Sequence, residues 1–329
     1  MFYSIVVPVY NRPDEIEDLL NCLVKQTYKN FETIIVESGS EIKSDLVVEN
    51  YKSKLSNLHY YLKGNDGQGF SRNYGFARAT GDYFIVLDSD ILLDENFVEN
   101  IHKSLSTNWL DAYGGPDRLH PNAKPIQKAI DFCLTSFITT GGIRGGKKQV
   151  DKFYPRSFNM GFSRKVYEAT GGYKLPYFGE DIELSKRIMN LGFKTGLIPE
   201  AFVYHKRKET FKHFYRQMNF FGRARINTYL LYPDTLKLTH FFPAIFFIFY
   251  IIAIFGLFLP LKITKLPFVC ILIYTLLVFI GSLNKHKSLH VSLLTIQALF
   301  VQMTGYGIGF IKDFWKRVLC KNNLDTQNI

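Results

Sequence analysis

Two aspartates one residue apart, Asp88 and Asp90, follow the run Tyr83, Phe84, Ile85, Val86 and Leu87. Five large apolar residues without polar alternation predict a strand buried on both faces, as in a parallel sheet. In open α/β sheets ligands bind outside the carboxyl ends of the strands, which is where these acids fall. Two carboxylates held so close are costly unless a cation neutralises them. A hard divalent ion, Mg²⁺ or Mn²⁺, prefers carboxylate oxygens and commonly shares them with substrate phosphates. Any Asp-x-Asp taken alone reads as well as a solvated turn; the buried strand before it favours the metal.

Other stretches carry weaker chemical signals. Gly64, Gly67 and Gly69 precede a helical pattern over residues 71–79, and a Gly-rich turn feeding a helix N-terminus lets phosphates approach the backbone. The spacing is not that of a Walker loop. Glu180 and Asp181 open another helix with Leu184 and Ile188 on its apolar face; acids there also serve simply as complements to the helix dipole. His205 follows a short strand and precedes Lys206, Arg207 and Lys208. Residues 111–158 read as irregular, and the Gly-rich segment 139–148 within them predicts a functional lid or a disordered loop.

The elements that must position these groups alternate. A strand at 4–9 leads to Pro13, Asp14 and Glu15, which suit a first helical turn. Ile16, Leu19, Leu20 and Leu23 then recur at helical spacing. Strands at 33–37 and 58–62, a helix through Leu46 and Val47, and the 71–79 helix return the chain to the opening strand. This pattern predicts a nucleotide-binding α/β half-domain with right-handed connections. Residues 4–9 are too short for a signal-peptide core and read as a strand.

Composition bounds the partners. The formal net charge of +11 suits nucleotides and phospholipid surfaces, while no basic-aromatic motif points to nucleic acid. Cys22, Cys133, Cys270 and Cys320 lie far apart, against structural zinc and a disulfide scaffold and in keeping with a reducing cytosol. The hydrophobic content of 47% is concentrated after residue 241.

Six segments in order carry a resemblance: Val6-Val-Pro-Val-Tyr-Asn11, Ile34-Ile-Val-Glu-Ser-Gly-Ser40, Ser71-Arg-Asn-Tyr-Gly75, Leu87-Asp-Ser-Asp90, Asn159-Met-Gly-Phe-Ser163 and Gly179-Glu-Asp181. With them the chain resembles the family-2 glycosyltransferases, inverting enzymes of the GT-A fold. The resemblance implies an α/β, Rossmann-like nucleotide-sugar-binding domain followed here by C-terminal transmembrane helices. It implies that Pro8, Tyr10, Glu37, Ser38, Arg72, Asp88 and Ser89 contact a nucleotide-diphospho-sugar donor. It makes Asp88, Asp90 and His205 ligands of Mn²⁺ or Mg²⁺, and Asp181, paired with Glu180, the base that deprotonates an acceptor hydroxyl. His205 reads nearly as well as a structural histidine. Where the family commonly has Asp-Asp-Gly-Ser this chain has Glu37-Ser38-Gly39-Ser40, which leaves the nucleobase open. The Gln-x-x-Arg-Trp signature of processive synthases is absent after Gln217, so one sugar per binding event is expected.

The expected organisation is a catalytic domain over residues 1–235, ending in a basic, aromatic segment at 206–235 that rests on an anionic membrane surface. A membrane domain over 236–329 follows. Stretches 241–261 and 266–283 carry no charge and approach the ~20 residues needed to span a bilayer. Stretch 289–311 is richer in polar residues and glycine and predicts a re-entrant or interfacial segment, with a third true span as the alternative. The basic residues after 311 fit a tail on the cytoplasmic side. These readings converge on a multi-pass cell-membrane enzyme with a cytoplasmic catalytic domain, acting on a lipid-linked glycan of cell-surface polysaccharide biosynthesis. A polyprenyl-phosphate sugar synthase and a non-catalytic membrane scaffold are the alternatives, and homo-oligomerisation stays open.

Overall fold

The computed structural model describes residues 1–140 and 154–320. Its long apolar runs become the centre of a seven-stranded sheet. Strands β1 (Tyr3–Val9), β2 (Phe31–Ser38), β3 (Leu58–Lys63) and β4 (Tyr83–Leu87) lie parallel in the order β3-β2-β1-β4. The sheet continues through β8 (Asn159–Ser163), β6 (Ala112–Gly114) and β9 (Thr195–Leu197), with β8 antiparallel to both its neighbours. Every residue of β2 and β4 is buried, as continuous β-branched and aromatic runs require.

Helices cover both faces. Helix α1 (Pro13–Val24) buries Ile16, Leu19, Leu20 and Leu23, and α2 (Asp45–Tyr51) and α4 (Phe97–Thr107) share that side of the core. On the other side lie α3 (Gln68–Phe76), α7 (Arg164–Thr170) and α8 (Glu180–Asn190). Helix α3 sits so close to β1 that a Cβ on Gly75 would stand 2.5 Å from Val6 Cγ1. A second sheet joins β5 (Ile91–Leu93), β10 (Val203–His205) and β7 (Asp117–Leu119) in the order β5-β10-β7. Its antiparallel register sets His205 opposite Ile91, beside the acid pair.

Residues 111–140 are not irregular, as the sequence suggested. They form β6, β7, α5 (Pro125–Thr135) and α6 (Phe137–Thr140). Strands of three residues are too short to show a period, and α5 opens after Lys124 with Pro125 at its first position. The lid expected at 139–148 falls, beyond Thr140, outside the described residues.

Contacts divide the chain into two compact units, Met1–His120 with Asp151–Lys206, and Pro121–Val150 with Arg207–Ile329. The division falls after Lys206, whereas the sequence placed a boundary near 235. The second unit holds α5, α6, α9 (Phe211–Leu231), α10 (Phe242–Leu257), α11 (Leu266–His286) and α12 (Leu289–Asp313). Phe214, Met218, Gly222 and Ile226 recur every fourth residue along α9 and are buried, a stripe that packs against α12. Gly305 and Gly309 serve this crossing, while Gly307 faces Pro243 and Phe247 of α10. A Cβ on Gly309 would stand 2.3 Å from Asn219 O, and one on Gly222 2.2 Å from Tyr306 O.

The uncharged stretch 241–261 is not one helix. Helix α10 has 16 residues, about 24 Å at 1.5 Å per residue, and ends before Pro260, which cannot continue it. The chain folds back so tightly that Thr264 donates to Gly256 O at 2.9 Å. By length and composition, two helices among the described residues are long and apolar enough to cross a membrane, Lys262–His286 and Leu289–Leu319. They differ in setting, with 17% and 50% of their apolar windows buried inside the protein.

Candidate active site

Strand β4 is fully buried to Leu87, and the chain then leaves the sheet edge through Asp88, Ser89 and Asp90. The β5–β10 pairing brings His205 back across 115 residues, with its Nε2 2.9 Å from Asp90 Oδ1. Lys206 N–H donates to Asp90 O at 2.9 Å, and Phe158 stacks on the imidazole with centroids 5.6 Å apart. One ligand atom from each of Asp88, Asp90 and His205 lies within 4.8 Å of the others. Two carboxylate oxygens and one imidazole nitrogen, each half-buried, are a donor set that would suit a hard divalent cation such as Mn²⁺ or Mg²⁺.

Behind Asp88 lies Arg72, only 1% exposed. Its Nη2 donates to Asp88 Oδ1 at 2.7 Å and its Nη1 to Glu180 Oε1 at 3.2 Å. The guanidinium also lies over the Tyr173 ring, 5.3 Å from its centroid. Gln68 Nε2 donates to the same Glu180 oxygen at 2.5 Å. Burial, then the neighbouring Asp181 charge, push the Glu180 carboxyl up to about 7, with Arg72 pulling the other way.

Asp181 stands differently. Its side chain is 19% exposed against 6% for Glu180, and its Oδ2 lies 3.5 Å from Arg156 Nη1. Phe178 and Gly179 both take positive φ, 59° and 89°, a costly turn for a phenylalanine. That turn aims the first residues of α8 at the sheet edge, where the helix dipole favours their charge. Of the two acids, Asp181 is the one that solvent reaches.

The loop after β2 is organised by Glu37. Its fully buried carboxylate accepts from Ser40 Oγ, from Ser44 N at 2.9 Å and from Tyr60 OH at 3.2 Å. Ser38 Oγ and Ser71 Oγ share a hydrogen bond of 2.6 Å. Pro8 and Tyr10 close β1 beside this loop, Val9 pairing with Glu37, and Tyr10 is half exposed. The structure thus brings Arg72, Asp88 and Glu180 into direct contact, and Asp90 with His205. Glu37 and Ser38 instead bond to the chain's own groups.

Two contributors escaped the sequence. Glu15, on the first turn of α1, accepts from Ser89 Oγ at 2.7 Å and from Arg12 Nη1 at 2.5 Å, and so holds the middle of the Asp-Ser-Asp turn. Its position reads as an ordinary dipole complement, so nothing in the sequence marked it. Asn11, at φ 54°, accepts from Glu41 N at 2.8 Å and Ile42 N at 3.0 Å and ties the ends of β1 and β2 together. Asparagine tolerates the left-handed region, and its place after Val9 and Tyr10 was the available signal.

Comparison with known proteins bears on the family and the fold. The chain is 30% identical over 138 residues to glycosyltransferase GlyG of Streptococcus pneumoniae, covering 40% of this chain and 45% of GlyG. It is 32% identical over 214 residues to minor teichoic acid biosynthesis protein GgaB of Bacillus subtilis, covering 63% of this chain and 23% of GgaB. The chain therefore spans less than half the length of these curated relatives. Among solved structures, mannosyltransferase PcManGT of Pyrobaculum calidifontis, in complex with GDP-Man and Mn²⁺, superposes with a TM-score of 0.60 at 14% identity, covering 96% of this chain and 87% of that one. The shared fold is GT-A. The family model described as glycosyl transferase family 2 matches residues 4–171, and the chain belongs to that family.

Proposed function

We propose that the protein transfers a single sugar from a nucleotide-diphospho-sugar to a hydroxyl of a membrane-associated glycan acceptor, inverting the anomeric carbon. The observation that carries this reading is the convergence of Asp88, Asp90 and His205 at the carboxyl edge of the sheet. A bound Mn²⁺ or Mg²⁺ would neutralise charge on the leaving diphosphate. The Gly67–α3 turn and the loop ordered by Glu37 and Asn11 form the wall for the nucleoside, with Tyr10 presenting an exposed ring. Asp181 accepts the proton of the acceptor hydroxyl, while Glu180, bound by Arg72 and Gln68, keeps it in place. Similarity to a teichoic acid biosynthesis protein supports a cell-surface glycopolymer as the acceptor class.

The second unit supports attachment to a lipid bilayer through the α10–α11 hairpin. Phe255, Phe258, Leu261 and Ile263 are 64–83% exposed around its tip, too much apolar surface to leave in water. Helix α12 instead buries Ser292, Thr295, Gln302 and Asp313 inside the unit and is its core rather than a lipid-facing span. A hairpin returns the chain to the side it left, and this topology keeps the catalytic domain and the basic tail together in the cytoplasm.

The test is turnover of UDP-, GDP- and dTDP-sugars by detergent-solubilised full-length protein with Mn²⁺. The proposal expects release of one nucleoside diphosphate that stops in excess EDTA and in Asp90→Asn. Undiminished turnover in EDTA would refute the metal-dependent reading.

A further inference from the structure

Arg72 occupies a place that suits neither a solvent-facing ligand contact nor a passive core residue. Both terminal nitrogens of its guanidinium are bonded to the protein's own acids, one to Asp88 and one to Glu180. Its Nε is buried without a hydrogen-bond partner. A guanidinium is a rigid planar fork, so fixing one prong fixes the direction of the other. Gln68 and Arg72 are four residues apart and share one face of α3, and both reach the same Glu180 oxygen. Glu180 is the first residue of α8, directly before Asp181.

We propose that Arg72 and Glu180 are positioning residues that join the metal-binding turn to the first turn of α8. Arg72 sets the direction of the Asp88 carboxylate toward Asp90 and His205. Glu180 balances the charge of Arg72, so that Asp88 remains available to a cation rather than being drawn fully into the guanidinium. Because Asp181 follows Glu180 in the helix, one strut fixes both ends of the reaction: the acids on the donor side and the carboxylate on the acceptor side. This inference rests on the metal reading of Asp88, Asp90 and His205, and it assigns Arg72 to the support of that site in place of a direct diphosphate contact.

The test is Mn²⁺ binding to the full chain without donor, read as loss of the free-ion signal by electron paramagnetic resonance. Asp90→Asn serves as the control. Arg72→Lys keeps the charge and loses the fork; its Mn²⁺ affinity should fall about 10–100-fold, as for other residues that orient metal ligands. Glu180→Gln is isosteric and should weaken Mn²⁺ in the same direction by a smaller factor. The double variant should bind no more weakly than Arg72→Lys, because Glu180 acts through Arg72. A purely structural role would lower thermal stability in these variants without moving the affinity. Wild-type affinity in folded Glu180→Gln would overturn the proposal, and so would losses that multiply in the double variant. If Arg72→Lys does not fold, Glu180→Gln decides alone. Failure of the unsubstituted protein to bind Mn²⁺ would overturn the metal reading itself and the positioning role with it.

Discussion

Replacing Asp181 by Asn removes a charge and changes almost nothing else. The Oδ1 atom now accepts from Ile182 N at 2.8 Å, and an amide oxygen accepts equally well. The lost ion pair with Arg156, at 3.5 Å and with side chains 32% and 19% exposed, is worth at most about 1 kcal/mol after solvent screening. Stability should therefore shift by no more than about 1 kcal/mol. Donor binding should be unchanged, because Asp88, Asp90 and His205 are untouched. Transfer, by contrast, should fall about 10²–10⁴-fold, the usual worth of a general base, or about 2.7–5.4 kcal/mol of barrier at 1.36 kcal/mol per tenfold. The assay pairs calorimetric donor affinity with single-turnover sugar transfer. Near-normal transfer by Asp181→Asn would mean that the carboxylate only complements the helix dipole. It would favour an acceptor that is already ionised, such as a lipid phosphate.

Three further outcomes follow from the geometry. The raised Glu180 pKa means that the folded protein binds a proton more tightly there than the unfolded chain, so stability should fall as pH rises from about 4.5 to about 7. Glu180→Gln should flatten that part of the metal-free melting profile, and an unchanged slope would deny the burial of an ionisable acid. Gly222→Val sets a side chain against Tyr306 O, 2.2 Å from the added Cβ; it should cost several kcal/mol, on the order of an overpacked core or more, seen as an early-melting helical unit. Alkaline carbonate should leave the full chain with the membrane fraction, while Phe258→Glu with Leu261→Glu should release part of it; quantitative release of the unsubstituted protein would argue against the hairpin.

How much of this was legible depended on the range of the contacts involved. The acid pair could be found because a local signal, five apolar residues and then two aspartates, coincides with a strand end. His205 carried no local sign of its role and was reached only through the family resemblance. Its partner Asp90 lies 115 residues away and meets it through a three-residue antiparallel pairing. Glu37 was expected at the donor; its burial and its bonds to Ser40, Ser44 and Tyr60 depend on how the loop closes, which no periodicity encodes. The short strands β5, β6, β7 and β9 left no pattern, since three residues cannot show one. The glycines of α12 counted against a helix of regular apolar character, yet Gly305 and Gly309 are where α9 approaches and Gly307 is where α10 does, and only these crossings explain them. Helix α5 lay inside the stretch read as irregular, and its membership of the second unit could not be seen, because its partners Thr295 and Gln302 come from the far end of the sequence.

That interleaving has a consequence for synthesis on the ribosome. Residues 121–140 emerge early, but Cys133 meets Thr295 and Gln302 only 162 and 169 positions later. Ile130, Phe132 and Leu134 are buried in the finished protein in a cluster whose members outside α5 begin at Phe211, about 80 residues later. The first unit in turn cannot complete its small sheet before residue 205 has left the exit tunnel. The nascent chain thus carries an exposed apolar helix through the interval in which its sugar-nucleotide domain closes. Such intervals are when chaperones or a nearby bilayer engage a chain. The order of the sequence therefore ties the completion of the helical unit in time to the closing of the sheet edge that carries Asp88 and Asp90.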